Sequence, residues 1–143
     1  MIDSKRLLIV DDSEIDRKIL RNILSKYFEI TEVENGYAAL EIFTKRTSLF
    51  DAVLLDISMP VLDGFNVLDI MSENNINIPI LLVTAEATAS NVQHAAKYSV
   101  AGFISKPFEP KLILEKLSTI LGIEKLPVDE VTRQEIIQKT ETD

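Results

Sequence analysis

Apolar positions along this chain follow two rhythms that take turns. Leu7 to Val10, Ala52 to Leu55 and Pro79 to Val83 are short runs of consecutive apolar residues, the pattern of strands buried on both faces. Phe28 and Ile30 alternate with Glu29 and Thr31 as in a half-buried strand, and Ala101 to Ser105 makes one more short run. Between these runs the spacing changes to three and four. Ile15, Ile19, Leu20, Ile23, Leu24 and Tyr27 form a helical stripe expected to be core, with Ser13 placed to cap the helix and Asp16 three residues after it. Ala38, Ala39, Leu40, Ile42 and Phe43 follow a turn at Glu34-Asn35-Gly36, and Phe65, Leu68 and Met71 follow Gly64 and fade at Asn74-Asn75. Ala87 to Tyr98 predicts a helix with a weak apolar face of Val92, Ala95 and Ala96. Leu112, Ile113, Leu117, Ile120 and Leu121 predict a strong last helix, with Pro110 in its first turn and Gly122 beyond its end.

Strict alternation of five strands and five helices predicts an α/β fold, a doubly wound parallel sheet with helices on both faces, because parallel neighbours need right-handed crossovers. The carboxyl ends of all strands then share one edge, where open α/β sheets bind ligands. Each of four runs stops there at polar residues: Asp11-Asp12, Asp56, Thr84 with Ala85 behind it, and Lys106-Pro107. Asp56 organises the set, since an apolar run ends on it and the breakers Pro60 and Asp63-Gly64 turn the chain immediately afterwards.

Composition narrows the choice of partners. A chain of 143 residues, 46% hydrophobic, fits one globular domain. With 23 acidic residues against 15 basic ones, and those scattered, no phosphate-backbone footprint is present, so no nucleic-acid partner is expected. The lack of cysteine excludes disulfides, thiolate metal sites and a cysteine nucleophile, and suits a reducing cytoplasm. The amino-terminal apolar run is short and ends in Asp11, neither signal peptide nor membrane span, so the expectation is a soluble cytoplasmic protein with no membrane partner. Beyond Gly122 the sequence turns polar. Residues 1–122 read as the folded domain and 123–143 as a polar tail, either a short helix starting over Pro127 to Val131 and running through Ile136 and Ile137 to Lys139, or the start of a linker to an output domain outside this chain.

Three carboxylates on one edge repel: like charges about 4 Å apart at an effective dielectric of about 20 cost on the order of 4 kcal/mol per pair. Lys106 offers one balancing charge, and an oxygen-only donor set without His or Cys selects Mg²⁺ or a similar hard cation. With a phosphodonor docked, Asp56 can act as nucleophile while the cation and Lys106 neutralise the transferring group and Thr84 donates a hydrogen bond to it.

From about Arg6 to Leu121 the chain resembles the receiver domain of two-component response regulators, of the chemotaxis-receiver kind. The marks are Asp11-Asp12, Asp56 with Met59-Pro60 and Asp63-Gly64 behind it, Thr84-Ala85, and Lys106-Pro107-Phe108, in that order at strand ends. The resemblance implies a flavodoxin-like sheet of strand order 2-1-3-4-5 and a phosphoaccepting regulator that catalyses only its own phosphorylation and dephosphorylation. Asp56 would take a phosphoryl group from a histidine kinase or phosphotransfer protein. Mg²⁺ would sit on Asp12, Asp56 and the backbone carbonyl of Ser58, with Asp11 acting through water. Thr84, Ala85 and Lys106 would bind the phosphoryl group, and a cis bond to Pro107 would aim the lysine. Thr84 and Phe103 would form the switch, while Ser58 and Glu86 would tune dephosphorylation. The helix after Thr84, the strand of Phe103 and the last helix would then report to an output domain or target protein, or to a second copy in a homodimer. One departure lies at Tyr98-Ser99-Val100, where the family usually has Gly-Ala at the second and third positions; Ser is less suited than Gly to a left-handed helix cap.

Two other readings fit less well. A haloacid-dehalogenase-type phosphatase resembles Asp-x-Asp, whose second Asp is the general acid, and Ser58 stands in its place. A flavodoxin-like electron carrier needs a Ser/Thr/Gly-rich phosphate loop, whereas Asp11-Asp12-Ser13-Glu14 repels an FMN phosphate. His94, the sole histidine, reads as a surface or half-buried structural residue, Tyr27, Tyr37 and Tyr98 as core-edge residues, and Glu29, Glu32 and Glu34 as a solvated face.

Overall fold

A computed structural model describes residues 5–45 and 50–123. Five strands and five helices alternate along it: β1 (Arg6–Val10), α1 (Glu14–Leu24), β2 (Glu29–Val33), α2 (Gly36–Lys45), β3 (Ala52–Asp56), α3 (Gly64–Glu73), β4 (Ile80–Thr84), α4 (Ala89–Ala95), β5 (Gly102–Ser105) and α5 (Pro110–Leu121). All strand pairs are parallel and the order is β2-β1-β3-β4-β5, the doubly wound flavodoxin-like arrangement. Apart from Ile123, the tail expected over 123–143 lies outside the described residues.

The apolar runs are continuous because both faces of the sheet are covered. Leu8, Val10, Val53, Leu55, Ile80 and Leu82 point to one face, into a core shared with α2, α3 and α4. Their neighbours Leu7, Ile9, Ala52, Leu54, Leu81 and Val83 point to the other, where Leu20, Ile23 and Leu24 of α1 meet Ile113, Leu114 and Leu117 of α5. Each fully buried aliphatic side chain contributes about 1.5–3 kcal/mol of hydrophobic stabilisation, so these two layers hold the sheet edge in place.

Helix starts are set by short polar side chains. The Asp16 amide donates to Ser13 Oγ at 3.2 Å, and Asp63 and Asn66 exchange bonds in a reciprocal box that opens α3. The structure corrects the expected stripe of α1: Ile15, in the first turn right after the loop that leaves β1, is 72% exposed. Leu112, at 39%, is also outside the core.

The helix expected over 87–98 is shorter, seven residues from Ala89 to Ala95. Thr88 Oγ1 accepts the Asn91 amide and fixes the start. At the other end Lys97 and Tyr98 donate to the carbonyls of His94 and Ala95, three residues back, and the helix tightens into a turn. Of its expected apolar face only Ala95 is buried; Val92 is 48% exposed and Ala96 is exposed too. Ser99 is not left-handed: among the described residues, Val61 and Asn75 are the non-glycine residues with positive φ. Glu29 is exposed, but Glu32 is not simply solvated, since Arg21 Nη1 lies 2.6 Å and Arg17 Nε 3.5 Å from its carboxylate.

Candidate functional site

The end of β3 carries Asp56 into a pocket of other strand ends. Asp56 is 3% exposed and Asp11, just past β1, is 1% exposed, whereas Asp12 beside it is open to solvent. Both buried carboxylates bend back on their own loops: Asp56 Oδ1 accepts the Ser58 amide at 3.2 Å and Asp11 Oδ1 the Ser13 amide at 2.9 Å. Arg17 Nη1 donates to the Asp11 carbonyl at 2.7 Å, fixing the loop between β1 and α1. Gly64 fixes the other loop. A Cβ there would stand 2.6 Å from the Asp56 carbonyl oxygen, so only glycine lets α3 begin against the strand that bears Asp56.

Lys106 enters from beyond β5, after its amide has donated to the Thr84 carbonyl at 2.7 Å and before a cis bond to Pro107. Its Nζ is 2.6 Å from Asp16 Oδ2, 3.0 Å from Asp11 Oδ2 and 3.7 Å from Asp56 Oδ2. Burial opposes its charge, yet the bond to Asp16 and the negative charge of Asp11 and Asp56 prevail and hold the ammonium up at about 12. Asp56 moves the opposite way for a carboxylate. Burial and then the charge of Asp11 push it up to about 7, against the smaller pull of Lys106 and the Ser58 amide.

Oxygens of Asp11, Asp12 and Asp56 lie within 4.8 Å of one another. Asp11 Oδ2 is buried and, although Lys106 Nζ is 3.0 Å away, it has no contact of hydrogen-bonding geometry. A buried carboxylate oxygen left in that condition, in an oxygen-only set with one exposed member, fits a hard cation that keeps part of its water shell.

Thr84 is fully buried, and its Oγ1 accepts the Glu86 amide at 3.0 Å, while Ala85 and Glu86 are exposed. Phe103 pairs in register with Leu82, half-buried against the core shared with α3 and α4. Ser58 and Glu86 line one open groove of ≈ 570 Å³ together with Asp63, Phe65, Asn91 and His94. His94 is half-buried and stacked on Phe65, ring centroids 3.8 Å apart, and Tyr98 stands near both rings and donates to Asp69 at 2.6 Å. Sequence reasoning brought these elements together but missed two contacts: it used Asp16 only as a capping position and did not single out Arg17. The available signal was their place in the first helical turn after an acidic pair.

The profile described as Response regulator receiver domain matches residues 7–118. This chain belongs to that family. A receiver-domain relative, the chemotaxis protein CheY of Halobacterium salinarum, is 34% identical over 119 residues, covering 82% of this chain and 98% of the relative. The 3',5'-cyclic-nucleotide phosphodiesterase regA of Dictyostelium discoideum is 32% identical over 120 residues, which are 15% of its own length. Among solved structures, chemotaxis protein CheY4 of Vibrio cholerae superposes with a TM-score of 0.74 at 28% identity over 83% of this chain and all of its own. Receiver domains take part in two-component signalling with histidine kinases and output domains and bind Mg²⁺ at an acidic pocket; here Asp11, Asp12 and Asp56 form an acidic group compatible with such an ion. No helix among the described residues is long and apolar enough to cross a membrane.

Proposed function

We propose that this chain is a phosphorylation-controlled receiver in which Asp56 accepts a phosphoryl group and residues 1–122 form the regulatory domain. The observation that carries the reading is the convergence of Asp56, Asp11 and Lys106: a buried carboxylate with a lysine ammonium 3.7 Å from it and an acidic partner beside it. An Asp56 carboxylate oxygen attacks phosphorus in line, the bond from phosphorus to the donor breaks, and the donor leaves with the electron pair. Asp12, Asp56 and the Ser58 carbonyl would hold Mg²⁺, with Asp11 acting through water. The bound ion would supply positive charge for the oxygens of the transferring group. Lys106 and Thr84, with the backbone at Ala85, would grip the phosphoryl oxygens once the transfer is complete.

Thr84 has a hydroxyl that can turn from the Glu86 amide toward the phosphoryl group, and Phe103 can follow it inward; together they would shift the face made by α4, β5 and α5. Ser58 and Glu86 would set the access of water to the acyl phosphate from the groove they share. The donor would be a histidine kinase or phosphotransfer protein, and the reader an output domain, a target protein or a second copy of this chain. Its role is regulatory, without turnover on a further substrate, in the cytoplasm.

The test is intact-mass measurement after incubation with acetyl phosphate, with and without Mg²⁺, alongside Asp56→Asn. A Mg²⁺-dependent gain of one phosphoryl group that the variant loses is the expected result. A normally phosphorylated Asp56→Asn chain would sink the assignment.

A further inference from the structure

Lys106 sits closer to a residue outside the acidic pocket than to Asp56. Its Nζ makes its shortest contact, 2.6 Å, with Asp16 on the first turn of α1, whereas Asp56 Oδ2 stands 3.7 Å away, beyond hydrogen-bond range. Asp16 and Lys106 are 90 residues apart in sequence, and their side chains are 25% and 15% exposed, so this is a partly sheltered pair linking α1 to the loop after β5. The helix cap does not need that carboxylate, because it uses only the Asp16 backbone amide.

We propose that Asp16 is a positioning residue that competes with the phosphoryl group for Lys106, an inference that rests on the receiver reading above. A phosphoryl group on Asp56 brings about two negative charges and three acceptor oxygens to the place from which the lysine now stands off. To bond to them Nζ must give up or share its bond to Asp16. Asp16 opposes the phosphorylated state in two ways: it retains the lysine, and it adds a fourth carboxylate to a site that already holds Asp11, Asp12 and Asp56. Release of Lys106 also breaks the side-chain link between α1 and the loop after β5, so that phosphorylation is felt at this contact as well as at α4.

The experiment compares beryllofluoride binding by the full chain at saturating Mg²⁺, by titration calorimetry, for the wild type, Asp16→Asn and Glu14→Gln. Glu14 lies exposed in the same turn, so its substitution removes the same charge at a position with no bond to Lys106. Asp16→Asn is expected to bind about threefold to tenfold more tightly, the range one partly exposed ion pair supplies, and Glu14→Gln to stay within about twofold of the wild type. In chelator, the ¹⁵Nζ resonance of Lys106 should move in Asp16→Asn and hold its place in Glu14→Gln. Unchanged or weaker binding by Asp16→Asn, or an equal gain in both variants, would overturn the competition while leaving the receiver reading intact. A wild-type chain that takes no beryllofluoride would overturn the receiver reading, and the competition with it.

Discussion

The site is flanked by two helices of very different grip. On one side α1 runs eleven residues, with Leu20, Ile23 and Leu24 buried against the sheet and α5, and with arginines reaching the Asp11 carbonyl and Glu32. On the other, α4 runs seven residues with Ala95 as its buried side chain, held by a ring stack on Phe65 and by the Tyr98 hydroxyl on Asp69. Asp11 and Asp12 belong to the firm flank and Thr84 to the weak one. Under the proposed switch, fixed carboxylates and a movable surface would fall mainly to separate flanks, and local stability follows the buried area each helix contributes.

The largest test of this contrast is a pair of truncations. Ile23→Ala should cost about 2–5 kcal/mol of unfolding free energy, while Val92→Ala, at an exposed position of α4, should change it by less than about 0.5 kcal/mol. Urea titrations of both variants measure this, and comparable losses would erase the distinction between the flanks. A smaller effect concerns Asp56 itself in the metal-free chain. Its folded value of about 7 lies above the ordinary 3.8, so between those limits the folded chain keeps a proton that the unfolded chain has released. Stability therefore falls as pH rises through that window, and Asp56→Asn should recover roughly 1–2 kcal/mol at pH values above it, with allowance for solvent screening. Melting curves in chelator at acid and at mildly alkaline pH would show this as a gain confined to the higher pH; an equal gain at both would refute the assigned cause. The smallest effect is expected from Tyr98→Phe. Loss of the bond to Asp69 should cost about 0.5–1.5 kcal/mol and speed amide exchange in α4 while leaving α1 unchanged.

Much of this was legible because strand and site share one signal: an apolar run that ends abruptly in a polar residue. Asp11, Asp56, Thr84 and Lys106 were each found in that way, and parallel alternation gathered them on one edge. What escaped depends on where a helix stands relative to the end of the sheet. Ile15 keeps the spacing of a core residue but lies past Val10, with nothing to bury it. The length of α4 turned on a single hydroxyl, Thr88, against a stretch with few large apolar residues to extend it. The Asp16 contact with Lys106 joins opposite ends of the chain, and no local pattern encodes so long a reach.

An open sheet of five strands leaves two rims that could recruit further strands from other molecules. Here β2 presents exposed Glu29 and Thr31, with Arg6 of β1 bound to Glu29, and β5 is four residues long and is followed by Lys106 and then a proline. Charge on one rim and brevity on the other discourage edge-to-edge polymerisation, so this protein can be crowded in solution without its sheets growing into one another. A second copy of this chain, where it is the proposed reader, would therefore dock on helical and loop surfaces rather than on a strand edge.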